Sequence, residues 1–414
     1  MSRFIPLISS LIACLFAISA SAQVDPGAGG GEPRKVFITS VSGTADLSTW
    51  PDANGATGIA AGDSICQSRA AAANLPSPGN YIAWLSNSED DAYCRLHSLS
   101  GKRDNNCGQV ELPSDAGPWV RTDGSPFAAE VGLALLPSQN VFLPPKFDEF
   151  GNEVLDESLA RSVYTGTDGR GELKNDQQDC QDWASDDAGF IGIGDVYMTG
   201  TGWSSFGSTG CGGVRKLFCV ERGSGVPLPP LEAEGNLVFV TSVAGNGDLA
   251  SWPEADSGTV GVEAGDSICR NLAGAAGLEN AGLFKAWLSD SSESADQRLL
   301  GDGPWVRPDG VLVAESLSDL TTNPRNTGIA VTEQGDYLGN NLVWTGTSDI
   351  GATEPNNCDD WRDATTSFNA RQGYSNRSSS GWSSGLSSSC DVPNARLYCL
   401  EDGPDILFAD DFEL

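Results

Sequence analysis

Two short runs of β-branched and aromatic residues, Val36 to Val41 and Val238 to Val243, each head a long stretch of mixed text, and both read as opening strands. In the second stretch Ile268, Leu272 and Ala276 recur at i, i+4 and i+8. This is one face of a helix over Ser267 to Ala275, with Asp266 placed to cap it. Beyond that helix the apolar runs are short and broken by Gly, Asn, Asp and Ser, and no helical period is sustained. The pattern predicts an α+β chain, strand-poor and rich in ordered loops.

Ahead of the first strand, Arg3 precedes an apolar run from Phe4 to Ile18, and Ala20-Ser21-Ala22 follows with the small-x-small pattern of a cleavage site. Residues 1–22 therefore read as an export signal, with the mature end at Gln23. A rival reading takes Leu11-Ile12-Ala13-Cys14 as a lipobox with Cys14 lipidated, but apolar residues continue past Cys14 where a lipoprotein turns polar. No other stretch reaches the ~18 apolar residues of a membrane helix. The expected location is secreted, periplasmic or cell-surface, where the ten cysteines beyond Cys14 pair as disulfides by default.

The two stretches are copies of one another. Ala61-Gly62-Asp63-Ser64-Ile65-Cys66 returns as Ala264-Gly265-Asp266-Ser267-Ile268-Cys269, and Ala83-Trp84-Leu85-Ser86 as Ala286-Trp287-Leu288-Ser289. Pro118-Trp119-Val120-Arg121 returns as Pro304-Trp305-Val306-Arg307, and Leu217-Phe218-Cys219 as Leu397-Tyr398-Cys399. Each copy is long enough for its own core, so the expected layout is two tandem domains, 35–222 and 236–402. A Gly-rich linker (23–34) precedes them, a Pro/Gly linker (223–235) joins them as an extended, semi-rigid spacer, and an acidic tail (403–414) ends the chain.

Charge narrows the function. The 24 Lys+Arg against 56 Asp+Glu leave −32 over 414 residues, which repels phosphate backbones and argues against nucleic-acid partners. His97 is the one histidine, and beside the expected Cys94–Cys107 loop it reads as a solvated residue. Nucleophilic catalysis and zinc hydrolysis both lack the ligands and bases they need, so no enzyme is expected.

Four cysteines per copy follow one order, Cys66, Cys180, Cys211, Cys219 and Cys269, Cys358, Cys390, Cys399, and spacing alone leaves three pairings open. Together with the C-x-x-W of Cys180–Trp183 and Cys358–Trp361, the Gly-Asp-x-x-Cys of each copy and the Phe284-Lys285-Ala286-Trp287-Leu288-Ser289 run, this order resembles the endostatin branch of the C-type-lectin-like fold. The resemblance implies pairing of first with fourth and second with third: Cys66–Cys219, Cys180–Cys211, Cys269–Cys399 and Cys358–Cys390. Cys94 and Cys107 are left for each other.

Sugar-binding members of that fold hold Ca²⁺ with a Glu-Pro-Asn tripeptide, and Glu354-Pro355-Asn356 stands just before Cys358. The calcium set is then Glu354, Asn356, Asp359 and Asp360, with Asp176 and Asp179 as weaker counterparts in the first copy. The chain departs from the family in having no Trp-Asn-Asp before Cys390. Ten of the 11 Trp form matched pairs and Trp344 answers Tyr164, so these read as core, whereas the unmatched loop aromatics Tyr197, Tyr337 and Tyr374 are the candidates for ligand contact. The expectation is a protein that binds a glycan or a surface protein through the loops at 168–211 and 348–390. The alternative is a structural envelope or matrix component with no soluble ligand.

Overall fold

The computed structural model describes residues 32–129, 141–154, 161–175, 180–187, 189–322 and 325–403. The segment read as an export signal, Cys14, Asp176, Asp179 and the tail from 404 onward lie outside them.

The first half opens with β1 (Arg34–Ile38), then helix α1 (Gly58–Ala72), β2 (Tyr81–Ala83) and a short α2 (Ala92–Leu96). It continues with β3 (Trp119–Arg121), β4 (Pro126–Ala128), β5 (Ser162–Tyr164), β6 (Phe190–Asp195), β7 (Gly207–Gly210) and β8 (Lys216–Glu221). These strands form one sheet in the order β4-β3-β1-β8-β5-β6-β7, with β2 also paired to β8. The second half repeats the plan as β9 (Asn236–Val240), α3 (Val262–Ala275), β10 (Phe284–Ala286), α4 (Ala295–Arg298), β11 (Trp305–Val306), β12 (Leu312–Ala314) and α5 (Leu317–Thr321). Then come β13 (Leu342–Trp344), β14 (Asn369–Tyr374), β15 (Leu386–Ser389) and β16 (Tyr398–Glu401). Here the sheet divides into β10-β16-β9-β11-β12 and β13-β14-β15, joined by a single parallel bridge from Val343 to Arg396 where the first half has the β5–β8 pair.

The fold is α+β, and the sixteen strands of the described residues are short, so strand content stays low although the strands are many. Most strands have three to six residues, too short to show period-2 alternation in sequence. The central ones are covered on both faces. Val36 and Ile38 enter one core with Trp84, Trp119 and Phe218, while Phe37 points to the other with Ile65, Trp183 and Leu217. A sheet buried on both sides selects continuous apolar text, which is what Val36 to Ile38 shows.

The repeated Ala-Gly-Asp-Ser-Ile-Cys motif has a packing cause. A Cβ on Gly62 would stand 2.9 Å from Leu85 Cδ1, and one on Gly265 would stand 2.7 Å from Leu288 Cδ1, so the helix approaches its strand only because glycine is there. Asp266 does not cap the helix, which begins four residues earlier at Val262. It lies buried inside α3 and accepts from Ala286 N at 2.9 Å and from Arg298 Nη2 at 2.6 Å. Asp63 and Arg95 repeat the arrangement in the first half.

Five disulfides close the fold: Cys66–Cys219, Cys180–Cys211 and Cys94–Cys107 in the first half, Cys269–Cys399 and Cys358–Cys390 in the second. All 11 Trp are buried. The 223–235 segment is laid against both halves, with Gly225 N donating to Gly117 O at 2.9 Å and Ala233 N to Gly310 O at 3.1 Å. Among the described residues no helix is long and apolar enough to cross a membrane.

Candidate functional site

The Cys-x-x-Trp segments form left-handed turns. Cys180 to Trp183 have φ between +48° and +67°, and Cys358 to Trp361 between +53° and +63°, although no residue in either run is glycine. Such a conformation costs roughly 1–2 kcal/mol per L-residue. Several contacts hold it. The disulfides anchor the first residue, and the buried indoles donate to Ser86 O and Ser289 O, both at 2.9 Å. Gly166 and Gly346 let the Trp rings approach so closely that a Cβ would stand 2.7 Å from Cζ2 in each half. The acid at the third position completes the latch. Asp182 accepts from Ser88 N and Oγ at 2.8 Å each, and Asp360 accepts from Ser291 N at 2.7 Å and Oγ at 2.6 Å. Asp359 is exposed, so Asp359→Gly removes local strain without removing a buried contact. The expected result is a gain of about 1 kcal/mol in urea unfolding. A loss would show that Asp359 makes a stabilising contact of its own.

The same turn and the loop before it place the residues of the expected calcium set. Asp360 is committed to Ser291 and to Asn357 Nδ2 at 2.8 Å, and Glu354 faces Arg371 Nη2 at 3.5 Å. Asn356 is exposed and its carbonyl accepts from Arg371 N at 2.9 Å, while Asp359 faces solvent. Among the described residues no three His, Cys, Asp or Glu side chains converge as a metal-binding group.

Of the three candidate tyrosines, Tyr197 differs from expectation. Tyr197 is 1% exposed, with its hydroxyl bonded to Val154 O and Glu153, so it is core rather than a loop contact. Tyr337 is half-buried against Asp309, and its phenol is pushed above the usual range by burial, with the Arg307 guanidinium opposing and the Asp309 carboxylate adding to the rise. Burial would raise Asp309 as well, but Arg307, Tyr337 and Val311 N together hold its carboxyl below the ordinary value. Tyr374 is half-buried with the Arg377 guanidinium 4.5 Å above its ring. His97 is not solvated. Its side chain is 5% exposed, packs 5.4 Å from the Tyr93 ring and lies 3.3 Å from Asp115, and burial lowers its pKa.

What each half does expose is a disulfide-anchored hairpin. β6 pairs with β7, whose residues are Gly-Ser-Thr-Gly, and β14 pairs with β15, whose residues are Leu-Ser-Ser-Ser; β7 and β15 are the outermost strands. A phenylalanine stands at the base of each. Phe190 is 63% exposed at the start of β6, and Phe368 is 44% exposed just before β14. Matching bonds from Cys211 N to Gly189 O and from Cys390 N to Phe368 O set these two phenylalanines one register position apart. Matching of aromatics between the copies had pointed to the tryptophans and passed over both residues. The signal that finds them is a Phe without a matched aromatic, followed by a short strand rich in hydroxyl residues. No protein-family model and no curated protein matches this sequence.

Proposed function

We propose that the chain is an exported binding protein of two C-type-lectin-like, endostatin-like domains that recognises a neutral glycan through its two disulfide-anchored hairpins. The observation that carries this reading is an exposed phenylalanine near a hydroxyl-bearing outer strand in both halves, Gly-Ser-Thr-Gly in the first and Leu-Ser-Ser-Ser in the second. The apolar face of a sugar ring packs on an aromatic ring, and hydroxyls alongside supply the few oriented hydrogen bonds that fix its position. The net charge of −32 disfavours sulfated or uronic chains.

Replacing both Phe190 and Phe368 by alanine is expected to weaken binding to a neutral-glycan array by at least about tenfold, because a stacking contact is worth on the order of 1 kcal/mol per site and two sites act together. The thermal midpoint should stay unchanged, since both rings lie on the surface. Parent-level binding by the double variant would exclude the hairpins as the site. A structural envelope role is the second reading, favoured by where the cations sit. Arg69–Glu149, Arg298–Asp266 and Arg307–Asp309 place positive charge inside the fold at 2.6 Å from its partner and leave excess carboxylates outside. Concentration-dependent assembly on adding Ca²⁺ would support that role.

A further inference from the structure

The two halves touch each other through equivalent segments. A Cβ on Gly194 would meet Trp203 O and one on Gly373 would meet Trp382 O, which sets the register: Tyr197, Met198 and Thr199 correspond to Asn376, Arg377 and Ser378. Across the contact Thr199 N donates to Asn376 O at 2.8 Å, and Ser378 N donates to Tyr197 O at 3.0 Å. One bond is thus made twice, in opposite directions. Met198 and Arg377 face each other at the centre as an antiparallel bridge.

A second pair of equivalent segments meets beside the first. Glu149 binds Ser40 as Glu333 binds Ser242, which aligns 141–146 with 325–330. Thr327 Oγ1 donates to Phe142 O at 2.7 Å, and Lys146 Nζ reaches Arg325 O at 3.5 Å. The halves are in van der Waals contact, since a Cβ on Gly200 would stand 3.6 Å from Asn376 Cβ and from Gly339 Cα. Reciprocal contact between the same surface on both partners is the property of an isologous interface.

We infer that the two halves bind each other through this isologous interface without help from the linker, and that Met198 and Arg377 on its axis restrict pairing to unlike halves. On a two-fold axis a residue meets its own equivalent. Two first halves would set Met198 against Met198, whereas two second halves would set one Arg377 guanidinium against another at the centre of the contact. In the unlike pair that charge is spread over two rings, Tyr374 of its own half at 4.5 Å and Phe206 of the other half at 5.2 Å. The partner this surface fits is the other half of the same chain. The two exposed hairpins are then held at one fixed spacing, as a single bivalent face.

The test uses the full chain with a protease recognition sequence inserted between Pro229 and Pro230, both exposed. Every disulfide closes within one half, so after cleavage no covalent bond joins the pieces. They are expected to co-elute as a one-to-one complex at micromolar concentration; separation overturns the proposal. Met198→Arg, which sets two guanidiniums on the axis, is expected to weaken the cleaved complex by about 100-fold while each piece keeps its circular dichroism spectrum. Association as tight as the parent's would refute the placement of these residues. If that variant fails to fold, cleaved Arg377→Met gives an independent reading. It is expected to keep the unlike pair and to add homodimers of the second half, seen by mixing two differently tagged preparations, and their absence would refute the selection by charge.

Discussion

Replacing Cys269 and Cys399 by alanine is expected to lower the unfolding free energy of the second half by about 5 kcal/mol. The bridge spans 130 residues of sequence, from the core-facing side of α3 to β16, and both cysteines are fully buried. In the chain-entropy model a loop of that length removes roughly 5 kcal/mol of freedom from the unfolded chain, and a loop of 13 residues removes about 3 kcal/mol. The Cys94–Cys107 bridge, with its separation of 13, supplies the internal comparison. Its removal should therefore move the urea midpoint by clearly less than removal of Cys269–Cys399. Equal shifts would show that native packing, rather than the unfolded chain, sets the stabilisation. Tryptophan fluorescence reads both variants, since the indoles sit in the cores the bridges enclose.

Arg298→Met is expected to cost about 3–5 kcal/mol, because it strands a buried carboxylate. Arg298 and Asp266 side chains are 7% and 8% exposed and 2.6 Å apart, and Arg298 Nη1 also donates to Ala286 O at 2.8 Å and Leu288 O at 3.2 Å. The loss should depend on pH with a definite sign. Burial raises the Asp266 carboxyl, and Arg298 and Ala286 N counter it only in part. A carboxyl raised in the folded state favours folding while protonated, and that contribution fades as pH rises through its folded value. Removing Arg298 raises it further. The deficit of the variant relative to the parent is then smallest near pH 4 and largest near pH 7. Urea midpoints at the two pH values check this, and a deficit that shrinks toward neutral pH would contradict the assigned charge state.

The duplication, the opening strands, the cysteine order and the choice of tryptophans as core are written in local residue types at matched intervals, and a reader of the sequence alone reaches them. The α3 helix was also legible, but its start was misplaced and Asp266 was misread as a cap. A capping acid and a buried ion-paired acid look the same in a nine-residue window, and Arg298, which separates them, stands 32 residues away. Tyr197 shows the same limit. It lacks an aromatic counterpart in the other copy and so looked free. Tyr197 instead lies in the core with its backbone in the contact between the halves, where Ser378 N reaches its carbonyl.

Sequence by itself determined which residues repeat, which are apolar enough to need burial and which cysteines are present to be paired, because these follow from side-chain chemistry and chain order. Tertiary structure alone decided that four L-residues at each Cys-x-x-Trp adopt a left-handed turn, that Asp360 binds Ser291, and that Met198 meets Arg377. The reason in each case is a backbone segment brought close from far along the chain. A hydrogen bond or an ion pair takes its energy from the partner's position, and the chain sets that position only once the whole of each half has closed around its core.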